Sequence, residues 1–163
     1  MGNFLMEYFQ ILIQVHKLPC YNFLPQVSIG TLPASFGNLK SLKFLLISQC
    51  NFFGFIPSTF GNLTGFTYLD VGYNNFKGHL SSLLVNLTKL STLRAGFNEF
   101  STDTISWICK LPGITDLELD FVNIGFNSPL CSANLTQLSV LSLLYTNLSG
   151  LFPSWITNLA FRV

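Results

Sequence analysis

The strongest constraint on the fold of this chain is a pattern of apolar residues that recurs every 24 positions. The residues that open successive units are Leu42, Phe66, Leu90, Ile114 and Leu138. Three more apolar positions follow the opening residue at distances of three, five and ten residues, and five units keep this phase. One such unit is too short to bury its own apolar side chains, so we expect successive units to stack and share one core.

The spacing of these apolar positions identifies the unit. It matches L-x-x-L-x-L-x-x-N/C-x-L, which is typical of leucine-rich repeats. Alternation within the short L-x-L stretch predicts one strand per coil, as at Phe44–Ser48 and Thr92–Gly96. The sequence therefore predicts an α/β-type repeat solenoid. We expect a leucine-rich-repeat horseshoe of 24-residue coils with a parallel concave β-sheet, and a convex side made mostly of loops and short 3-10 turns.

The repeat also sets the expected domain boundaries. We expect residues 18–161 to form the leucine-rich-repeat domain, after an irregular N-terminal segment at 1–17 and before a truncated end at 162–163. The first coil keeps the phase only weakly because Pro19 and Pro25 interrupt it, and proline is poorly tolerated within a sheet. The expected coils lie near residues 18–41, 42–65, 66–89, 90–113, 114–137 and 138–161.

The composition narrows the class of function. Hydrophobic residues make up 49% of the chain and charged residues 9%, and the net charge is +1, so we expect neither a disordered chain nor a nucleic-acid partner. The longest apolar stretch, Phe4 to Val15, contains Glu7 and is too short to span a membrane. No basic residue precedes it and no small-residue cleavage site follows it. We therefore favour a start inside a longer coding frame over a poor signal sequence.

One polar column accompanies the apolar ones, at the position that follows each strand. It reads Cys50, Asn74, Asn98, Val122 and Thr146. An asparagine amide at this position is expected to bond to backbone groups of neighbouring coils, which the turn would otherwise bury without partners. The Val122 side chain cannot form such bonds. We therefore expect the coil around it to be locally looser.

Two short motifs point to one family of leucine-rich repeats. Gly54-Phe55-Ile56-Pro57 has the form of a G-x-I-P turn, and Phe60-Gly61-Asn62-Leu63 follows it. With these motifs the chain resembles the ectodomains of plant receptor-like proteins and receptor-like kinases, which are cell-surface receptors of defence and development. The resemblance covers roughly residues 18 to 161.

The resemblance implies a binding protein without a cofactor or a metal. Such ectodomains bind a peptide, a microbial protein or a co-receptor kinase on the concave or lateral face, at the extracellular side of the plasma membrane. No nucleophile elbow, phosphate-binding loop or C-x-x-C metal spacing occurs, so we do not expect an enzyme. Two alternatives remain open. One is a soluble secreted inhibitor of a foreign enzyme, and the other is a non-functional receptor fragment without a membrane span.

Residues that face outward from the predicted strands are the candidates for ligand contact. Four successive strands are followed by an aromatic residue, and charged residues occupy neighbouring outward positions. Exposed aromatic residues in line are common at binding surfaces, and the carboxylates suit a peptide or protein with basic groups. The alternative is a concave surface that is ordinary for the family, with the aromatic residues partly folded against the next coil. The candidates are Tyr73, Phe97, Phe121, Tyr145, Asp70, Arg94, Asp116, Glu118 and Asp120.

Four N-x-S/T sequons make the chain a candidate glycoprotein. They begin at Asn62, Asn86, Asn134 and Asn147. The first three share one phase of the repeat, on the outer side of the coil, where a glycan would leave the concave face free. Asn147 lies near a strand exit and is a poorer acceptor. The alternative is that these residues simply belong to the repeat consensus, because Asn38 occupies the same phase without a sequon.

The four cysteines suggest one disulfide. Cys109 and Cys131 fall at similar phases of adjacent coils, and stacked coils could bring their Cα atoms within bonding distance. Two separately buried thiols are the alternative. Cys50 is interpreted as a member of the polar column, and Cys20 receives no role.

Overall fold

The computed structural model describes residues 30–102, 106–124, 135 and 137–146. Two parallel sheets run through these residues, and each coil contributes a short strand to the first. The strands of the first sheet are β1 (Phe44–Leu46), β3 (Tyr68–Asp70), β5 (Thr92–Arg94), β7 (Asp116–Glu118) and β9 (Val140–Ser142). They pair in the order β1-β3-β5-β7-β9. We call this sheet the concave sheet.

Equivalent residues of successive coils meet in the concave sheet. Leu45 is aligned with Leu69, and the same register continues through Leu93, Leu117 and Leu141. Each partner lies 24 residues further along the chain, so the apolar column of the sequence becomes a continuous inner row. Parallel strands need a crossover between them, which the rest of each coil supplies. The predicted leucine-rich-repeat solenoid with a parallel concave sheet is confirmed.

The strands are two residues shorter than the sequence predicted. The predicted strand Phe44–Ser48 ends at Leu46, and the predicted strand Thr92–Gly96 ends at Arg94. Backbone hydrogen bonds between coils nevertheless continue past the strand, because the N–H of Gln49 still donates to the carbonyl oxygen of Gly72 at 3.1 Å. The chain then turns away from the concave sheet.

A second parallel sheet begins just after this turn, and the sequence did not predict it. Its strands are β2 (Phe53–Phe55), β4 (Asn75–His79), β6 (Glu99–Thr102) and β8 (Asn123–Ile124), paired in that order. Buried and exposed residues alternate within it, as Phe76 is buried between exposed Asn75 and Lys77. Such alternation is typical of a strand with one solvated face. The expectation that loops and short helical turns make up most of the convex side was therefore incomplete.

Short helices complete the coils. The 3-10 helices are Ala34–Asn38, Ser58–Asn62 and Ser106–Lys110, and one coil instead has the α-helix α1 (Leu80–Leu84). Pro33 and Pro57 precede the first two 3-10 helices in an extended conformation. Proline fits this place because its fixed φ suits the start of a helical turn and its missing N–H is not needed there. The predicted short 3-10 turns are confirmed.

Aromatic rings from equivalent positions stack inside the solenoid. The ring centroids of Phe52 and Phe76 are 5.9 Å apart, those of Phe76 and Phe100 are 6.1 Å apart, and both pairs are nearly parallel. A second stack joins Phe36 to Phe60 at 5.8 Å. All five rings are buried. Each buried phenylalanine removes a large apolar area from water, which contributes about 1.5–3 kcal/mol, so these columns hold adjacent coils together.

The asparagines of the polar column connect neighbouring coils as predicted. The Nδ2 group of Asn74 donates to the carbonyl oxygens of Ile47 and Val71 at 2.8 and 2.9 Å. Its Oδ1 atom accepts from the backbone N–H groups of Cys50 and Phe52 at 3.1 and 3.0 Å. Asn74 thus satisfies groups of two coils with one buried side chain.

The next members of the polar column differ. Asn98 repeats the arrangement, because its Nδ2 donates to Val71 at 3.0 Å and its Oδ1 accepts from the N–H of Phe76 at 3.0 Å. Val122 is completely buried at the same place. A looser coil around Val122 stays a prediction.

A second polar column supports the concave sheet, and the sequence analysis missed it. Two places before each of Leu69, Leu93, Leu117 and Leu141 lies a residue whose hydroxyl donates to a carbonyl oxygen of the preceding coil, whereas Lys43 lies two places before Leu45. The donor–acceptor pairs are Thr67 to Lys43, Ser91 to Thr67, Thr115 to Ser91 and Ser139 to Thr115, at 3.2, 2.8, 3.0 and 2.9 Å. The alternation of threonine and serine every 24 residues was the signal in the sequence.

Several predicted boundaries lie outside the described residues. These are the irregular segment 1–17, most of the first coil, and the end of the sixth coil together with residues 162–163. They stay predictions.

Candidate ligand-binding face

The turn at the exit of each concave strand has an unusual backbone. Gln49, Tyr73, Phe97, Phe121 and Tyr145 all have positive φ, between 52° and 61°. L-amino acids with large side chains seldom adopt this conformation, which costs about 1–2 kcal/mol per residue. The backbone is held there by hydrogen bonds between coils, because the N–H of Tyr73 donates to Gly96 at 3.0 Å.

Four of these residues form a continuous stack of rings, which we call the aromatic ridge. Its members are Tyr73, Phe97, Phe121 and Tyr145. Successive ring centroids are 4.2, 4.7 and 4.7 Å apart, with interplanar angles of 9°, 40° and 27°. Two of these pairs are stacked and the Phe97–Phe121 pair is tilted, and each aromatic pair contributes about 0.5–1.5 kcal/mol beyond the burial of area, which offsets part of the backbone strain.

The aromatic ridge remains open to solvent although its rings contact each other. Phe121 has a ring on each side, at 4.7 Å, and is still 46% exposed. Because both ring faces are covered, the exposed part is the ring edge. Tyr73 is 51% exposed, and Phe97 is partly exposed between its two neighbours. The structure thus brings the predicted aromatic residues together on one surface.

Charged residues cluster on the concave sheet beside the aromatic ridge. The Nη2 atom of Arg94 donates to Asp116 Oδ2 at 2.8 Å, and its Nε atom lies 3.4 Å from Glu118 Oε1. Asp116 Oδ1 is buried and accepts no hydrogen bond from any described residue. We call Asp70, Arg94, Asp116 and Glu118 the charge cluster. It holds three carboxyl groups against one guanidinium group.

Asp70 is placed differently from the sequence expectation of an outward-facing residue. It is buried, with 8% of its surface exposed, and its Oδ1 atom accepts from the N–H of Gly72 at 3.1 Å. Its carboxyl therefore supports the local backbone at the edge of the face. Arg94, Asp116 and Glu118 remain partly exposed.

Burial has a clear electrostatic effect in the charge cluster. It raises the pKa of the Asp70 carboxyl above its usual value, although the Gly72 N–H and Arg94 act in the opposite direction. Burial likewise raises the pKa of Glu118, again against the effect of Arg94. The hydrogen bond from Arg94 to Asp116 raises the pKa of the guanidinium group further. The cluster therefore contains carboxyl groups for which a nearby positive charge is favourable.

Two glycines lie between the aromatic ridge and the charge cluster. A Cβ atom on Gly96 would lie 3.0 Å from the backbone nitrogen and oxygen of Asp120, so a side chain would crowd the next coil. A Cβ atom on Gly72 would meet its nearest atoms at 3.4 Å. Asp120 itself is tied to the following coil, because its Oδ1 accepts from the Ser142 hydroxyl at 2.7 Å. Both glycines are buried, so the backbone between the two groups of side chains is packed against neighbouring atoms of the solenoid.

The predicted glycan acceptors within the described residues are exposed. Asn62 ends the 3-10 helix Ser58–Asn62, and Asn86 follows helix α1, so both lie on the return part of the coil. Thr64 and Thr88, the third residues of their sequons, are exposed as well. Asn134 and Asn147 lie outside the described residues. Glycosylation at these positions stays a prediction.

Cys50 and Cys109 are both disulfide-bonded. Cys131, the predicted partner of Cys109, lies outside the described residues, so that pairing stays a prediction. Cys50 is buried in the polar column, and its N–H donates to Asn74 as described. The sequence pattern predicted Cys50 only as a member of this column and did not predict its covalent bond, since no neighbouring cysteine shares its phase.

The comparison of sequences finds a restricted match. The family model described as Leucine Rich Repeat matches residues 41–63. Among curated proteins, none matches the sequence of this chain closely enough to count as a relative.

Comparison with solved structures is more informative. The chain is similar to the ectodomain of the Arabidopsis thaliana receptor kinase GASSHO1/SCHENGEN3, solved in complex with CASPARIAN STRIP INTEGRITY FACTOR 2, with 28% identity and a TM-score of 0.73. It is also similar to the plant peptide hormone receptor RGFR1 in complex with RGF2, with 28% identity and a TM-score of 0.71. A third similar structure is the Arabidopsis receptor kinase HAESA in complex with the peptide hormone IDA and the co-receptor SERK1, with 27% identity and a TM-score of 0.68.

These similarities cover most of this chain and a small part of each receptor. They cover 80%, 78% and 76% of this chain, in the order given, but only 16%, 20% and 21% of the receptor chains. The chain is therefore structurally similar to a segment of a plant receptor-kinase ectodomain. Among the described residues, no helix is long and apolar enough to cross a membrane, and no group of side chains could hold a metal ion.

Proposed function

We propose, on the premise that this chain is a leucine-rich-repeat solenoid similar to plant receptor-kinase ectodomains, that it binds a peptide or protein ligand at the cell surface in defence or developmental signalling. The observation that carries the proposal is the juxtaposition of the aromatic ridge and the charge cluster along the concave sheet. In this proposal the chain acts by binding and performs no catalysis.

The concave face suits an extended ligand that runs across the coils. Equivalent outward positions are repeated from strand to strand, about 4.8 Å apart, so a chain laid along the solenoid meets a new side chain at each coil. The aromatic ridge would contribute apolar contact, and the partly exposed Glu118 would contribute a carboxylate. Aromatic and arginine side chains are the residue types that most often dominate binding energy at interfaces.

Three of the structural neighbours support a peptide ligand. GASSHO1/SCHENGEN3, RGFR1 and HAESA were each solved with a bound peptide hormone or named factor, and HAESA also with a co-receptor. We infer by this similarity that the partner is a secreted peptide and that a co-receptor kinase is a second partner. The neighbours are receptor parts that bind ligands, which also favours binding over catalysis.

An extracellular location is part of the proposal. The disulfide bonds of Cys50 and Cys109 are expected in an oxidising compartment, and Asn62 and Asn86 are exposed sequon asparagines on the side of the coil opposite the proposed ligand. Glycans at these positions would not obstruct the concave sheet.

Peptide selection tests the binding function. The protein would be immobilised and used to select binders from a library of random displayed peptides, followed by titration calorimetry of each selected peptide. Arg94→Glu reverses the charge at the centre of the concave face, whereas Lys89→Glu makes the same change on the exposed return part of the coil. We expect Arg94→Glu to weaken binding about tenfold or more and Lys89→Glu to leave it unchanged. Selected peptides that ignore Arg94→Glu would contradict the proposal.

Glycan mapping tests the location. The native coding sequence would be expressed in plant cells and the peptides analysed by mass spectrometry, beside a Lys40→Thr variant that completes a sequon at exposed Asn38. We expect glycans on Asn62 and Asn86, and a new one on Asn38 in the variant. Unmodified asparagines in both proteins would overturn the extracellular location, because all three sites would then have escaped the secretory pathway.

A further inference from the structure

We propose that the aromatic ridge is the anchor for an aromatic side chain of the ligand, one that lies flat on the ring edges and is followed or preceded by a lysine or arginine. This inference rests on the proposed function and specifies the chemistry of the ligand.

The fold does not require rings at this position. Gln49 occupies the same turn of the preceding coil with the same backbone conformation, φ 57° against 52° for Tyr73. Its N–H makes the same kind of hydrogen bond to the following coil, at 3.1 Å. A flexible polar side chain therefore fits the turn. Closure of the turn does not explain why the next four coils have aromatic residues there. Large exposed apolar groups in line are typical of interaction surfaces.

The exposed part of the two inner rings of the ridge is their edge, whereas each end ring, Tyr73 or Tyr145, stacks on one neighbour of the ridge. The faces of Phe97 are covered by Tyr73 and Phe121 at 4.2 and 4.7 Å, and the faces of Phe121 by Phe97 and Tyr145. An aromatic ring has a positive edge and a negative face, so exposed edges favour the face of an incoming ring in a T-shaped arrangement. A carboxylate would also be attracted to a ring edge, so the surroundings decide between the two.

The surroundings exclude a carboxylate and favour a cation. Asp120 directly precedes Phe121, and Glu118 and Asp116 lie on the same strand region, with Arg94 as the single neighbouring cation on this part of the described sheet. An anionic ligand group at the ridge would meet this negative field, whereas a lysine or arginine beside the bound ring would be attracted to it. The Glu118 side chain, which is 36% exposed, can contact that basic group.

The test compares ring chemistry on both sides of the contact. Peptides would be selected against the wild-type protein and, in parallel, against the double variant Phe97→Gln/Phe121→Gln, which copies the residue that the turn already accepts at Gln49. Each selected peptide would then be resynthesised with its aromatic residue replaced by cyclohexylalanine, which keeps the bulk but lacks the π face. Phe55→Gln is the matched control, since Phe55 is an exposed phenylalanine of β2 in the second sheet.

The expected results are specific. Wild-type binders should be enriched in aromatic residues next to lysine or arginine, and cyclohexylalanine should weaken them about three- to tenfold. The double variant should bind the aromatic peptides more weakly by the same factor, and replacing their aromatic residue with cyclohexylalanine should not weaken its binding further. Phe55→Gln should bind them as tightly as wild type. Circular dichroism would confirm that the double variant is folded. A Phe97→Leu/Phe121→Leu variant provides the same comparison if glutamine disturbs the turn.

Two outcomes would overturn the inference, and they are distinguishable from failure of the proposed function. If binding depends on Arg94 but cyclohexylalanine peptides bind as tightly as aromatic ones, the concave face binds ligands and the ridge is not an aromatic anchor. If peptides depend on Arg94 and the double variant binds them normally, the ridge is not part of the site. If no selected peptide responds to Arg94→Glu, the proposed function itself fails.

Discussion

Replacing Asn74 by alanine tests the central structural argument, that one buried amide closes two coils at once. The wild-type side chain accepts from the N–H groups of Cys50 and Phe52 at 3.1 and 3.0 Å and donates to three carbonyl oxygens at 2.8 to 3.0 Å. Alanine fills none of these roles. Because Asn74 and Phe52 are buried, water cannot easily replace the lost partners.

The expected loss of stability in Asn74→Ala follows from the two backbone N–H groups that lose their acceptor. A buried donor left without an acceptor costs about 1–3 kcal/mol, and the loss of the carbonyl contacts adds to this, so we expect Asn74→Ala to reduce the free energy of unfolding by about 3–5 kcal/mol. This is a large part of the 5–15 kcal/mol total that is usual for a domain. The loss should be felt in both coils because a solenoid is stabilised through its nearest-neighbour interfaces.

Urea denaturation followed by circular dichroism measures this difference. With a slope of about 2 kcal/mol per molar urea, the midpoint should fall by about 2 M. Asn75→Ala is the matched control, because Asn75 is the next residue and is exposed at the start of β4. We expect it to stay within about 0.5 kcal/mol of wild type. Equal effects of the two substitutions, or a loss below about 1 kcal/mol for Asn74→Ala, would refute the reasoning.

Three further predictions concern other parts of the coil. Gly37→Ala should destabilise by about 1–3 kcal/mol in urea denaturation, because its Cβ would overlap the Cβ of Thr59 and lie 2.5 Å from the Thr59 carbonyl oxygen, whereas Gly61→Ala meets its nearest atom at 3.5 Å and should be near neutral. Asp70→Asn should have a higher melting temperature than wild type, and the difference should grow as pH rises from about 4 to about 7. The raised pKa of Asp70 means that its contribution to stability is full below the unfolded-state value and is lost as pH rises through the folded-state value. Val122→Asn should keep the free energy of unfolding within about 1 kcal/mol of wild type in the same urea assay, because the two asparagines of this column show that backbone groups here can bond to a side-chain amide. A loss above about 3 kcal/mol would mean that the new amide has no such partners.

The core of the solenoid could be predicted from the sequence because each coil needs the same residue types at the same positions. Leu45 and Leu69 occupy equivalent places in the core, so the same residue type recurs at the same spacing and the register follows from the pattern. Asn74 was predictable for the same reason, since a buried turn needs a donor and an acceptor at one point. The hydroxyl of Thr67 also recurs in phase, but it was overlooked because threonine and serine are common on exposed positions.

The second sheet and the charge cluster could not be predicted in the same way. Strand β4 has the sequence Asn75-Phe76-Lys77-Gly78-His79, which looks like a turn because of its glycine, and only the stacking of coils brings it beside β2. Asp70 was expected to face solvent from its place in the strand. In the structure it is buried and accepts the N–H of Gly72, a contact that forms only when the turn has folded.

The separation between inner and outer positions explains how a chain of this kind acquires a ligand. Outward residues do not share the packing of the core, so Leu46, Arg94 and Glu118 can differ completely while the leucines beneath them stay in register. The turn that accepts glutamine in one coil and tyrosine in the next shows that this freedom extends to the aromatic ridge. Because such rings expose apolar surface that glutamine would not, contact with a partner is the simplest physical reason for four of them in line.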